Sequence, residues 1–295
     1  MRRIAACLCI FNVGLLGIKL TLASEPEQKF TEKRTLLLSE PIRDMYVDIV
    51  SKYRSGEKKG YEKRIRALVA LEPNNPLVFV CAADLAALHG DFELGNELSR
   101  AAVVADPKEP KAWNIRADIQ FEREEYVEAI KSISKAIELG SGENQAKRYF
   151  LRSVAISRLG DLKRFAFAKI AIDDMEKARK LDDRAEWNLA HCRVLYNILR
   201  LDDALVMVDD YIKRMPNDPG AAVMRAQVLI VLDRTKEADL EFTRLKKLDP
   251  KRAEREPKIR QSAETAKADY AKFNKYAKDP SLLLEPFPLP ENSRK

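Results

Sequence analysis

The residues with which this sequence would do chemistry are few. It has two histidines, four cysteines and several adjacent aspartates in 295 residues. Metal binding needs ligands that converge, and neither His89 nor His191 has a Cys, Asp or second His at ligand spacing on its own helix. General acid–base work needs two carboxylates facing one substrate. Asp173-Asp174, Asp202-Asp203 and Asp209-Asp210 are neighbours in sequence, and neighbours on a helix point about 100° apart. No G-x-S-x-G, no glycine-rich phosphate loop and no H-E-x-x-H occurs. Trp113 and Trp187 are the side chains on which a flat ligand would stack, but they fall at helix-packing places. The sequence therefore predicts no catalytic residue, no cofactor and no metal site, and what remains for it to do is recognition by its surface.

The ends differ from the middle. Arg2 and Arg3 precede an apolar run from Ile4 to Ile18, and Thr21 and Ala23 follow at the −3 and −1 places of a cleavage site. This is the layout of a secretory signal peptide over residues 1–23. The alternative is an uncleaved anchor over residues 4–18, although a spanning helix takes about 20 apolar residues and Lys19 interrupts this run. The expected location is extracytoplasmic, periplasmic or secreted, or membrane-anchored on the alternative. The formal charge of +7 sits at the ends, because residues 24–250 hold 39 basic and 39 acidic side chains. A nucleic-acid-binding body would concentrate basic charge on one face, so no nucleic-acid partner is expected.

Small residues recur through the middle at a fixed interval. Ala129 has counterparts at Gly95, Ala171, Ala204 and Ala238, and Ala136 at Ala102, Ala178, Tyr211 and Leu245. A preceding helix repeats Ala83, Ala117, Ser153, Ala190 and Ala226, with Phe79, Trp113, Tyr149 and Trp187 shortly before them. Units close on Asp106-Pro107, Met215-Pro216 and Asp249-Pro250, and Pro73 lies 34 residues before Pro107. Residues 144–183 carry about six extra residues after Arg158–Asp161, and residues 184–218 read as out of phase between their two helices.

A period near 34 with this pattern resembles the tetratricopeptide repeat (TPR) family. The resemblance implies an all-α fold, a right-handed α-solenoid of tandem helix-turn-helix repeats. The units are 76–109, 110–143, 144–183, 184–218 and 219–252, after a linker at 24–40 and a degenerate pair at 41–75 carried by Ile65, Leu68 and Leu71. Small residues let backbones approach and large ones fill the wedge beside them. Gly90, Gly140 and Gly160 are expected at left-handed helix stops. Cys81 and Cys192 lie three units apart, so both are expected as buried thiols and not as a disulfide.

Residues 253–278 read as a capping helix with Ile259, Ala263, Ala266, Tyr270 and Phe273 as its apolar stripe, followed by a Pro-rich tail at 279–295. In the family, first helices line a concave groove that takes an extended peptide. Carried over, that groove places Val80, Phe121 and Phe150 as apolar anchors and Asp84, Lys111, Asn114, Asp118 and Lys147 as polar contacts that set register. The implied function is a non-enzymatic scaffold or adaptor binding a protein or peptide. The alternatives are a self-assembling or tail-autoinhibited structural scaffold, with Ser281–Pro290 in the groove, and, behind it, the carrier arm of an enzyme complex.

Overall fold

Proline sets where several helices begin. Pro76, Pro110 and Pro219 each occupy the first helical turn, where a missing N–H costs nothing. The side chain just before each caps the helix: Asn75 accepts from Leu77 N at 3.0 Å, Glu109 from Lys111 N at 2.9 Å and Asp218 from Gly220 N at 2.7 Å. Each such cap is worth about 1 kcal/mol.

The computed structural model describes residues 38–57, 59–140, 144–160, 162–183 and 185–283. The expected signal segment, most of the linker and the tail beyond 283 lie outside them. The described residues form α1 (Glu40–Arg54), α2 (Tyr61–Leu71), α3 (Pro76–Leu88), α4 (Phe92–Ala105), α5 (Pro110–Glu122), α6 (Tyr126–Leu139) and α7 (Gln145–Ser157). They continue as α8 (Lys163–Ala166), α9 (Ala168–Leu181), α10 (Ala185–Asn197), α11 (Leu201–Arg214), α12 (Pro219–Val231), α13 (Thr235–Leu248), α14 (Pro250–Ala253) and α15 (Glu256–Lys278), with a 3-10 turn at Pro280–Leu282. No strand occurs among the described residues, and no helix there is long and apolar enough to cross a membrane. Contacts divide the chain into two compact units, and the division falls inside α7, after Ala155.

In the unit ending at Ala155, successive helices pair into antiparallel hairpins that stack on their neighbours. Its core holds Ile42, Ile49, Ile65, Leu68 and Leu85, all fully buried. Leu71, expected beside Ile65 and Leu68, is 47% exposed instead. Within each hairpin the backbones meet at the small places. Ala83 and Gly95 are buried together, as are Ala117 and Ala129. A Cβ on Gly95 would stand 3.7 Å from Ala83 O, in ordinary contact, and 3.1 Å from Ile119 Cδ1 of α5, so the tightest approach at Gly95 is to the next pair.

The turn between paired helices has one recurring design. Asp91 N donates to Ala86 O, Glu125 N to Gln120 O, Arg200 N to Leu195 O and Arg234 N to Leu229 O, at 2.8–2.9 Å. The residue before each donor is left-handed: Gly90, Glu124, Leu199 and Asp233, with φ from 61° to 76°. This is the hydrogen-bonded helix stop that favours glycine, yet three of the four positions hold other residues. Gly140 is extended, not left-handed. A Cβ there would lie 2.2 Å from Arg148 Nη1 and would displace that guanidinium.

Two corrections concern the packing places of α10 and α5. Cys192, not Ala190, takes the small place on α10. Cys192 is fully buried and its Sγ donates to Ala204 O at 3.2 Å, the signature of two helices in close approach. Cys192 stands 12 residues before Ala204 and seven before the left-handed Leu199, the same intervals as Ala226 to Ala238 and to Asp233. The phase break expected in residues 184–218 is therefore absent. Trp113 and Trp187 are also not core residues: both are partly exposed, and Trp113 Nε1 donates to Pro107 O at 2.9 Å. In α10 the place that Trp113 holds in α5 belongs to Asn188, which is fully buried.

The extra residues of the third pair have a structural purpose. They form the one-turn α8, whose Phe165 is fully buried against Leu199 and Ala277, with Phe273, Tyr276 and Leu283 packed alongside. Helix α15 supplies the other half of that cluster. Ile259 and Ala263 seat its start on α12 and α13, Ala266 meets the core of α10–α12, and its end reaches α8. Arg260–Asp239 at 2.6 Å, Lys267–Asp233 and Arg164–Asp269 at 3.5 Å tie it down along the way.

Candidate recognition surface

The polar residues expected in the groove become a surface through contacts between first helices of neighbouring pairs. On α5 and α7, Lys147 Nζ stands 3.2 Å from Asp118 Oδ2, and Arg148 Nε donates to Asn114 Oδ1 at 3.1 Å. Lys147 keeps 39% of its side chain exposed while Asp118 keeps 12%. Lys111 is partly exposed on the same α5. Asp84 takes part separately, accepting from Tyr46 Oη of α1 at 3.3 Å. Burial raises the Glu122 carboxyl pKa above its ordinary value, and Asp118 raises it further. Burial lowers the Arg148 guanidinium in turn, and only Glu109 offsets this.

The three expected apolar anchors are not available to a ligand in this conformation. Val80, Phe121 and Phe150 are 4%, 8% and 6% exposed. Phe121 spends its ring edge on Tyr126, with centroids 5.4 Å apart. The physical reason is depth: an alignment says which way a residue points along a helix, not how far the next helix pair covers it.

The residues with catalytic side chains are accounted for by packing. His89 stacks on Tyr61 at 4.4 Å, meets Tyr53 edge-on, and bonds through Nδ1 to Leu85 O at 2.8 Å. His191 is 4% exposed, neither ring nitrogen has a hydrogen-bond partner among the described residues, and burial, then Arg179, pushes its pKa down to about 4. Cys81 and Cys192 are buried and form no disulfide among the described residues, and burial pushes Cys192 up to about 12, where no thiolate nucleophile exists near neutrality. No group of three or more His, Cys, Asp or Glu among the described residues could hold a metal ion.

No protein-family model and no curated protein matches this sequence. Solved structures do match. A tetratricopeptide repeat protein from Parabacteroides merdae aligns over 86% of this chain and 99% of its own, with a TM-score of 0.60 at 15% identity. The C-terminal part of a TPR repeat-containing protein from Cytophaga hutchinsonii aligns over 85% and 99%, with a TM-score of 0.53 at 14% identity. YrrB, described as a TPR protein with an unusual peptide-binding site, aligns over 69% and 97%, with a TM-score of 0.51 at 16% identity. The fold is the tetratricopeptide-repeat fold.

With the TPR register fixed within each unit, equivalent places can be compared from repeat to repeat along the sequence. The place of Asp84 and Asp118 is held by Arg193 on α10 and Gln227 on α12. Arg193 Nη1 donates to Gln227 Oε1 at 3.0 Å, and Asn197 Nδ2 donates to Ser157 Oγ at 3.3 Å. Arg193 and Asn197 went unassigned from sequence because Ala190 was taken for the small place, two residues before Cys192 on α10. The signal that would have found them is the turn Leu199-Arg200, which repeats Glu124-Glu125 and Asp233-Arg234 at constant distance from the small place. Arg148 was missed for another reason: it belongs to the surface only through Asn114 of the preceding TPR.

Proposed function

We propose that this chain is a non-enzymatic scaffold that holds a segment of a protein or peptide on the face formed by its first helices. The observation that carries the reading is the pairing of polar side chains across successive first helices, at Tyr46–Asp84, Asn114–Arg148 and Asp118–Lys147. A stack that only needed to fold would gain little from such pairs, since an ion pair like Asp118–Lys147 contributes at most modestly and a hydrogen bond about 1 kcal/mol net. They do present fixed hydrogen-bonding groups at intervals set by the repeat. The working location is extracytoplasmic, on the strength of residues 1–23; a mature N-terminus at Ser24 in protein from the native cells checks this, and an intact Met1 or Arg2 counts against cleavage.

The test is crosslinking in intact native cells, comparing the wild type with a Lys111→Glu, Lys147→Glu variant. Loss of one crosslinked partner with unchanged melting is the expected result. The same partner recovered in equal amount from both would remove this face from the function.

A second reading is favoured by one observation. Leu283, at the start of the tail, already packs on the Phe165 cluster. A tail that continues along its own chain would make the scaffold self-occupied. Truncation after Lys278 then increases partner capture; unchanged capture disposes of the idea.

A further inference from the structure

Two neighbouring joints in the unit from Ile156 are built differently. Where the pair α12–α13 meets the pair α10–α11, Arg225 of α12 bridges Asp209 of α11 at 2.6 Å and Glu241 of α13 at 3.1 Å. Ala222, three residues earlier on α12, is fully buried in an apolar cluster. Where α10–α11 meets α9, the same places hold His191 for Arg225, Met207 for Glu241 and Asn188 for Ala222. Met207 brings no carboxylate. Arg179 Nη1 of α9 stands 3.9 Å from its Sδ, and Arg179 Nε is buried with no hydrogen-bond partner among the described residues. Both polar side-chain atoms of Asn188, which is 0% exposed, lack such a partner too, as do both ring nitrogens of His191. Buried polar groups left unpaired cost free energy, so this joint is the weaker of the two from within.

The same joint is bridged from outside. Phe165 of α8, the insertion ahead of α9, is buried with Leu199 at the turn after α10 and Ala277 of α15, and Phe273 and Tyr276 pack alongside. Nearer the middle of α15, Ala266 shares a core with Ala168 of α9 and Leu195 of α10. Arg164 Nη2 of α8 stands 3.5 Å from Asp269 Oδ2 of α15. Helix α15 therefore touches both sides of the joint whose interior is unmatched.

We infer that the second half of α15 is a clasp. By gripping α8 and the Leu199 turn together, it holds α9 and α10 closed over a joint that would otherwise open before its neighbour. Opening there would also break the bond from Asn197 Nδ2 of α10 to Ser157 Oγ of α7, 3.3 Å long, so the C-terminal helix sets a contact between first helices.

The experiment is native-state hydrogen exchange on the full chain. Phe273→Ala loosens the clasp, and amides of α9 and α10 should then exchange about tenfold faster or more, while those of α12 and α13 change by less than about twofold. Asp269→Asn removes only the Arg164 link and disturbs no packing, so it tests the clasp even if Phe273→Ala fails to fold. It should quicken the same amides by about twofold. Quickening confined to α8 and the end of α15 in these variants overturns the inference, because the clasp would then restrain only itself. Equal quickening from α9 through α13 overturns it as well, since that is a general loss of stability. Repair of the joint supplies the second arm. His191→Arg with Met207→Glu imports the Arg225–Glu241 pair, and Asn188→Leu separately removes the unpaired amide. Added to a clasp variant that folds, either repair should return α9 and α10 to within about twofold of wild-type exchange. If neither repair slows these amides, the interior of the joint is not what the clasp offsets, and the inference falls.

Discussion

Single side chains in this protein are set by what the repeat leaves them to touch. His191 shows it most sharply. It sits one residue before the close-approach place on α10, so packing buries it, and no partner among the described residues reaches either nitrogen. Its folded pKa near 4 lies below the ordinary 6.5, so between those values the unfolded chain binds the proton and the folded chain does not. Stability is therefore complete above about pH 6.5 and is lost as pH falls toward 4. A depression of that size corresponds to roughly 3 kcal/mol at its limit. His191→Leu keeps the volume and removes the titration. Urea midpoints of the variant should change less between pH 7 and pH 4.5 than those of the wild type. Parallel pH dependence in both would show that the imidazole is not the group that titrates. Nothing about this was legible in sequence, where His191 reads as an unremarkable helical residue. Its burial depends on Cys192 occupying the close-approach place, and the small residue two positions earlier, Ala190, masked that register.

At the scale of elements, the intervals between small residues gave the most dependable information. Ala117 to Ala129 and Ala226 to Ala238 mark hairpins of one length, and Ser153 to Ala171 is longer by six, so the size of the insertion could be read directly. What it does could not, because its partner lies a hundred residues away on α15. The Phe165 and Phe273 rings stand 6.0 Å apart and tilted at 39°. If α8 exists to receive α15, the two rings are coupled. Phe165→Ala should cost about 3–5 kcal/mol as a fully buried ring, and Phe273→Ala less. The double variant should then lose less than the two single losses combined, by about 0.5–1.5 kcal/mol for an aromatic pair. Additive losses in urea unfolding would mean that the insertion and the last helix are merely adjacent. The apolar stripe of α15 was legible, since Ile259, Ala263 and Ala266 are all buried. Its reach was not: periodicity describes a face and is silent about which helices that face crosses.

For the whole molecule, stability in a repeat array is a sum of local terms, since each pair contacts chiefly its neighbours. The sequence shows this architecture through its period alone, which is why the fold was open to reading while the depth of individual side chains was not. Asn114, Asp118 and Lys147 could be placed on first helices, where the structure pairs Asp118 with Lys147 and Asn114 with Arg148, but the depth of Val80, Phe121 and Phe150 depends on how neighbouring helices pack over them. The same locality governs how damage spreads. Phe242 is 2% exposed, is packed among α12, α13 and α15, and lies under the Arg260 guanidinium at 4.3 Å. Phe242→Ala removes about 3–5 kcal/mol from that neighbourhood. Native-state hydrogen exchange should quicken strongly in α12 to α15, where amides open with the damaged repeat, and remain at wild-type rates in α1 to α5. If one cooperative core held every repeat, the loss would instead appear at every slow amide, and exchange in α1 to α5 would quicken by the same factor as in α13. Equal acceleration throughout would therefore contradict the nearest-neighbour account. Protection lost only where Phe242 packs would locate its stabilising contribution in its own and the adjoining repeats.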